Sequence, residues 1–241
     1  MSEKTIALVT GANKGIGYEI AAGLGALGWS VGVGARDEQR RETAVAKLRA
    51  GGADAFGVPL DVTGDASVTA AAALLDERFG RLDVLVNNAA VVGGFPQEPT
   101  KAGLDTVRAA VETNVYGVIR VINTMLPLLR RSASPRIVNL SSETGSLTRQ
   151  SAPDADFGFL SAAYMPSKTF LNAVVVQYAK ELRDTNILIN NACPGYVATD
   201  LNGFRGVRTP EQGAATAIRL ATLPADGPTG GFFDDDGVVP W

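Results

Sequence analysis

The stretch SAAYMPSKTF, Ser161 to Phe170, places Tyr164 four residues before Lys168 in a chain without histidine. On a helix this spacing puts both side chains on one face, one turn apart. A free tyrosine titrates near ~10, too high for proton exchange at neutral pH. An ammonium at about 4 Å, in an effective dielectric near 20, contributes roughly 4 kcal/mol, or up to ~3 pKa units. That would bring the phenol toward ~7, where a general acid or base works best. Desolvation pushes the other way. Taken alone, the pair reads better as an amphipathic helix start with a core tyrosine and a surface lysine. Pro166 lies between the two and has no N–H, so the helix must begin beside Tyr164.

A second cluster, TGANKGIG, places Gly11, Gly15 and Gly17 around Asn13, Lys14 and Ile16. Glycines at such positions allow a tight turn and a close backbone approach to a pyrophosphate, whose charge meets a helix N-terminus. The spacing G-x-x-x-G-x-G is not the G-x-G-x-x-G fingerprint, so a plain βα turn is the competing reading. Its place between a first strand and a first helix favours a nucleotide. The second strand runs into Arg36, then Asp37. An arginine there suits the 2′-phosphate of NADP, and a carboxylate the 2′-OH of NAD. With Lys14 as a second cation, NADP(H) is preferred over NAD(H).

The elements that must hold these residues follow from the pattern. Short apolar runs at 4–10, 29–36, 53–62, 82–90, 136–142 and 186–195 read as strands, and 230–239 as a last short one. Ala-rich amphipathic stretches at 15–28, 38–52, 65–80, 163–183 and 209–223 read as helices, with two more near 100–112 and 115–131. The alternation predicts βαβ crossovers: an α/β fold with a mostly parallel sheet and helices on both faces. No linker or repeat divides residues 1–241, so one domain is expected.

Composition excludes several classes. Lys plus Arg is 22 against 25 Asp plus Glu, a net charge of −3, so neither nucleic acid nor an anionic membrane is an expected partner. One cysteine, Cys193, and no histidine rule out an intrachain disulfide, the usual zinc ligand sets and a Ser-His-Asp triad, so no metal is expected. Without a leader pattern or an apolar run of ~18 residues, a cytoplasmic location is expected.

TGANKGIG, LDV at 60–62, NNAA at 87–90, Asn114 in TNVYG, NLSS ending at Ser142, YMPSK and CPGYVATD together resemble the short-chain dehydrogenase/reductase family, in order and position, over essentially the whole chain. Within it the chain is most similar to carbonyl reductases. The resemblance implies a Rossmann-type doubly wound fold with a seven-stranded parallel sheet, and hydride transfer between NAD(P)(H) and a carbonyl or alcohol. It implies that Tyr164 exchanges the proton and Ser142 hydrogen-bonds the substrate oxygen. Lys168 would hold the nicotinamide ribose and lower the tyrosine pKa, and Asn114 would hold a relay water. It assigns Asp61 and Val62 to the adenine, Asn88 and Ala89 to the adenosine ribose side, and Pro194, Gly195, Val197 and Thr199 to the nicotinamide.

The expected function is NADPH-dependent reduction of a small-molecule ketone, aldehyde or quinone. A dehydrogenase of one secondary alcohol and an NADP(H)-binding redox sensor without turnover are the alternatives. Two departures from the family pattern stand out: Ala90 replaces a usual glycine, and Ser142 lies 22 residues before Tyr164 instead of about a dozen. The extra residues fall in a substrate-side loop at about 143–163, where long loops are often functional. Phe157 and Phe159 in that loop, with Tyr196, are expected to line an apolar substrate pocket. The altered segment leaves the choice between homo-oligomer and monomer open.

Overall fold

Strands whose residues are all buried need cover on both faces. β1 (Ile6–Thr10), β2 (Ser30–Ala35), β4 (Val84–Asn87), β5 (Arg136–Leu140) and β6 (Leu188–Ala192) are of this kind. The computed structural model describes residues 4–241. It joins these strands with β3 (Asp54–Pro59), β7 (Phe232–Asp234) and β8 (Gly237–Val238) in one sheet of order β3-β2-β1-β4-β5-β6-β7-β8.

The first seven strands pair in parallel, as expected. The sheet nevertheless has eight strands, not seven, because the run at 230–239 is a hairpin whose second arm pairs antiparallel. The reversal comes from turn chemistry. Asp234 Oδ1 accepts from the amides of Asp236 and Gly237, and Gly237 takes φ +130°.

Helices α1 (Gly15–Ala26), α2 (Glu38–Ala50) and α8 (Pro210–Ala221) bury Ile20, Leu24, Val45, Ala217 and Leu220 against one face. On the other face, α3 (Asp65–Phe79), α5 (Gly117–Leu129) and α7 (Tyr164–Glu181) bury Leu75, Ile122, Met125, Leu171 and Val175. Between them in sequence lie α4 (Leu104–Val111) and the single-turn α6 (Leu147–Gln150). The two helices expected near 100–131 run into one another through a π-helical turn, Glu112–Tyr116, with Asn114 fully buried inside it. Such turns recur at functional sites.

The order reverses between β1 and β4, which opens a crevice at their C-terminal ends. Asn88, just past β4, closes the back of that crevice on the glycine turn. Its Nδ2 donates to the carbonyls of Thr10 at 2.9 Å and Gly11 at 3.2 Å. The approach is close enough to demand glycine. A Cβ on Gly17 would lie 2.4 Å from Asn88 Nδ2 and 2.6 Å from the Gly11 carbonyl oxygen. Gly17→Ala is therefore expected to destabilise by about 1–3 kcal/mol, the usual penalty of forced overpacking, read from the urea midpoint. An unchanged midpoint would show that Asn88 yields freely.

Candidate active site

The crevice is a cavity of about 540 Å³. Its lining reaches from the ends of β2 and β3 to the end of β5 and the loop after β6. In the sheet order those strands are five steps apart, roughly 24 Å at ~4.8 Å per step. That span suits an extended dinucleotide lying across the switch point.

On the β2–β3 side the wall carries Gly11, Asn13, Lys14, Gly15, Ile16 and Gly17, with Arg36, Arg40, Asp61 and Val62. Gly11 at φ +65° and Gly15 at φ +56° need the left-handed region. Lys14 pairs with Asp200 at 2.9 Å. Asp37, also on the wall, caps α2 through Oδ1, which accepts from the Arg40 amide at 2.9 Å. The amide and hydroxyl of Thr63 donate to Asp61 Oδ1 and hold its carboxyl below the ordinary range, with burial opposing them. Arg36 and Arg40 give this side a cationic lining that fits a 2′-phosphate. The glycine turn at the N-terminus of α1 fits a pyrophosphate.

Across the cavity, Asn88 and Ala89 stand at the end of β4, and Pro194 and Thr199 in the loop after β6. Ala90 also faces the cavity and takes no positive φ, so its methyl group fits where glycine is usual. α7 begins at Tyr164, which puts Pro166 in its first turn. Tyr164 and Lys168 both reach the cavity. Lys168 is 3% exposed, and its Nζ donates to the Leu140 carbonyl at 2.7 Å. The same Nζ is 5.6 Å from the centre of the Tyr164 ring.

The direction of the tyrosine shift is the reverse of the one expected from spacing. Burial pushes the Tyr164 phenol up to about 12, nearby Cys193 adds to the rise, and a hydrogen bond with Ser142 lowers it. Burial pushes Lys168 down to about 8. The Lys168 ammonium is engaged with a strand carbonyl, and the surroundings that desolvate one group desolvate the other. The phenol is therefore protonated through the neutral range, the state of a proton donor.

The family model for short chain dehydrogenases matches residues 5–207. The chain belongs to that family. Carbonyl reductase [NADPH] 1 of Mus musculus is 34% identical over 279 positions, covering 100% of this chain and 99% of its own. That aligned length exceeds the 241 residues here, so the relative carries segments this chain lacks. A (+)-neomenthol dehydrogenase of Arabidopsis thaliana is 32% identical, with 97% of each chain covered. The NADPH-bound carbonyl reductase from chicken fatty liver superposes with a TM-score of 0.86 at 28% identity, over 99% of this chain and 100% of that one. The enzyme is an oxidoreductase of the NAD(P)-dependent kind.

The remaining expected residues lie off the cavity lining. Ser142 is partly buried beside it, next to lining residue Ser141. Its Oγ accepts from the Thr144 amide at 3.3 Å and shares a 2.9 Å hydrogen bond with Thr144 Oγ1. Asn114 accepts from the Val91 amide and donates to the Val91 carbonyl and to Ser167 Oγ, each at 2.9 Å. Its side chain thus ties the loop after β4 to α7. Gly195 takes φ +73° against the Arg208 side chain, and Val197 is buried beside Gly213. Phe157, Phe159 and Tyr196 do not line this cavity, and Phe159 and Tyr196 are 50% and 42% exposed. Residues 91–94 line it instead, from a segment whose only signal in the sequence is the Gly93–Gly94 pair. Among the described residues there is no cluster fit to hold a metal ion, and no helix is long and apolar enough to cross a membrane.

A lysine held at about 8 when folded, against 10.5 when free, binds fewer protons than the unfolded chain between those values. Stability lost to its burial is then full below about pH 8 and is regained toward pH 10.5. Lys168→Met should raise unfolding free energy at pH 7 by up to roughly 3 kcal/mol, less the lost bond to Leu140. The gap should shrink to under about 1 kcal/mol at pH 10. Urea melts at both pH values check this, and a variant less stable at pH 7 would contradict it.

Proposed function

We propose that the enzyme is an NADPH-dependent reductase of small hydrophobic ketones, aldehydes or quinones. The observation that carries this is the pairing of a protonated, half-buried phenol at one side of the cavity with cations and a glycine turn at the other. The relatives named for NADPH-dependent carbonyl reduction support it.

When bound, the reduced nicotinamide supplies a hydride. Tyr164 gives its proton to the carbonyl oxygen as that oxygen gains charge. Ser142 donates a hydrogen bond to the same oxygen, an interaction that strengthens in the transition state. The tyrosinate left behind is stabilised by the Lys168 ammonium, whose field acts through a dry, buried site. Lys168 would also hold the ribose hydroxyls, and Asn114 would support the water that returns a proton through it. Asp61 and Val62 would meet the adenine, and Asn88 and Ala89 the adenosine ribose. Pro194 and Thr199 would form the nicotinamide side, with Gly195 and Val197 acting from behind the wall.

The neomenthol dehydrogenase relative favours a second reading, oxidation of one secondary alcohol by the same residues in reverse. Oxidation requires a tyrosinate as base.

A panel of carbonyls and secondary alcohols, run with both cofactors and followed by absorbance of the reduced nicotinamide, separates these readings. Turnover of hydrophobic carbonyls with NADPH is expected. Cofactor binding without turnover on any compound would contradict it. Arg36→Ala should raise KM for NADPH roughly tenfold or more, the worth of a charged hydrogen bond, and leave KM for NADH nearly unchanged. Equal effects would remove Arg36 from phosphate recognition.

A further inference from the structure

A helix leaves its first N–H groups without intrahelical partners. In α7 these belong to Ala163, Tyr164 and Met165, because Pro166 has none and the Ser167 amide already bonds to the Ala163 carbonyl. The orphan donors converge on Ser161 and Gln97. Ser161 Oγ accepts from the amides of Tyr164 at 2.9 Å and Met165 at 3.4 Å. Gln97 Oε1 accepts from the Ala163 amide at 3.4 Å.

The two side chains are themselves joined. The Ser161 hydroxyl donates to Gln97 Oε1 at 2.7 Å. A hydroxyl has one proton and two lone pairs. With its proton held by Gln97, Ser161 presents its lone pairs to the start of the helix. Gln97 is 7% exposed, and its backbone carbonyl accepts from the Ala162 amide at 2.8 Å. Its Nε2 donates to the carbonyl of Val92 at 3.2 Å and to that of Gly94. Val92 and Gly94 belong to the cavity wall. One buried side-chain amide thus links the wall of the site to the residue that opens α7.

We propose that Gln97, acting through Ser161, is a positioning residue for Tyr164. Neither side chain gives or takes a proton in the reaction. Together they fix where α7 begins, and hence where the phenol stands relative to the wall that confines the substrate. Displacement of a reacting group by ~1 Å can cost about 10²-fold in rate. The proposal rests on the reductase reading for what Tyr164 does.

The test uses the full chain. It combines amide hydrogen exchange at Tyr164 and Met165 with steady-state kinetics on NADPH and a ketone that the wild type reduces. Ser161→Ala should speed exchange at both amides roughly fivefold, the worth of a lost cap. It should lower kcat about 10–100-fold while KM for NADPH stays within about twofold. Ser161→Thr keeps the hydroxyl and should restore both. Gln97→Ala should act in the same direction. The double variant should be no worse than the poorer single, because the two act in series. Ser132→Ala removes a buried 2.6 Å hydrogen bond to Asp83 at the opposite end of the sheet. It should lower the melting temperature and leave kcat unchanged.

Retention of kcat in folded Ser161→Ala, or additive losses in the double variant, would overturn the proposal. If Gln97→Ala does not fold, the two Ser161 variants decide the matter. A wild type that binds NADPH but reduces no carbonyl defeats the reductase reading instead. In that case, unchanged exchange at Tyr164 and Met165 in Ser161→Ala still overturns the positioning role, and faster exchange supports it.

Discussion

A half-buried phenol and a buried ammonium lie one helical turn apart at the start of α7, and the site depends on how their desolvation is tolerated. Lys168 Nζ has the Leu140 carbonyl at 2.7 Å, and its charge is held in a nearly dry place. Desolvation makes the lysine easier to deprotonate and the tyrosine harder to ionise. The result is a neutral acid with a cation 5.6 Å from its ring centre, placed to stabilise the conjugate base in the proposed reaction. Such a pair is chemically useful and structurally expensive, so rigid elements must hold it. β5 supplies the carbonyl, α7 fixes the pitch between the two side chains, and the turn after β5 brings Ser142 to the phenol.

Buried amides and hydroxyls provide much of that rigidity. Asn172, one turn after Lys168, accepts from Ser141 Oγ at 2.6 Å and from Asn191 Nδ2 at 2.9 Å, and donates to the Gly145 carbonyl at 3.2 Å. It binds α7 to β6 and to both ends of the turn that holds Ser142. Asn114 does the same between α7 and the loop after β4. Asn88 holds the glycine turn against β4. Satisfied buried polar groups of this kind specify one arrangement, because any other leaves them unpaired. The sheet brings these residues together by delivering the C-terminal ends of its parallel strands to one edge.

The sequence disclosed much of this. Largely apolar strand runs and well-marked helix limits made the parallel sheet legible. Pro166 alone required α7 to begin where it does. The eighth strand was hidden because a tight turn within Asp234–Gly237 depends on side-chain-to-backbone bonds that hydrophobic pattern does not register. The tyrosine shift was misread for a related reason. Spacing along a helix says that two residues share a face, but not which neighbour an ammonium engages or how dry the site is. Phe157, Phe159 and Tyr196 were placed by loop membership, and loop membership does not fix where a side chain points. Gln97 carried no local signal at all, since its partners lie at residues 92–94 and 161–163.

The central claim is that Tyr164 delivers the proton. Its most direct test is Tyr164→Phe, which removes one oxygen and keeps the ring. With the variant folded and its NADPH affinity unchanged, single-turnover oxidation of bound NADPH by a ketone the wild type reduces should slow by about 10²–10⁴-fold, the usual worth of a positioned general acid. A rate within a few-fold of wild type would contradict the account.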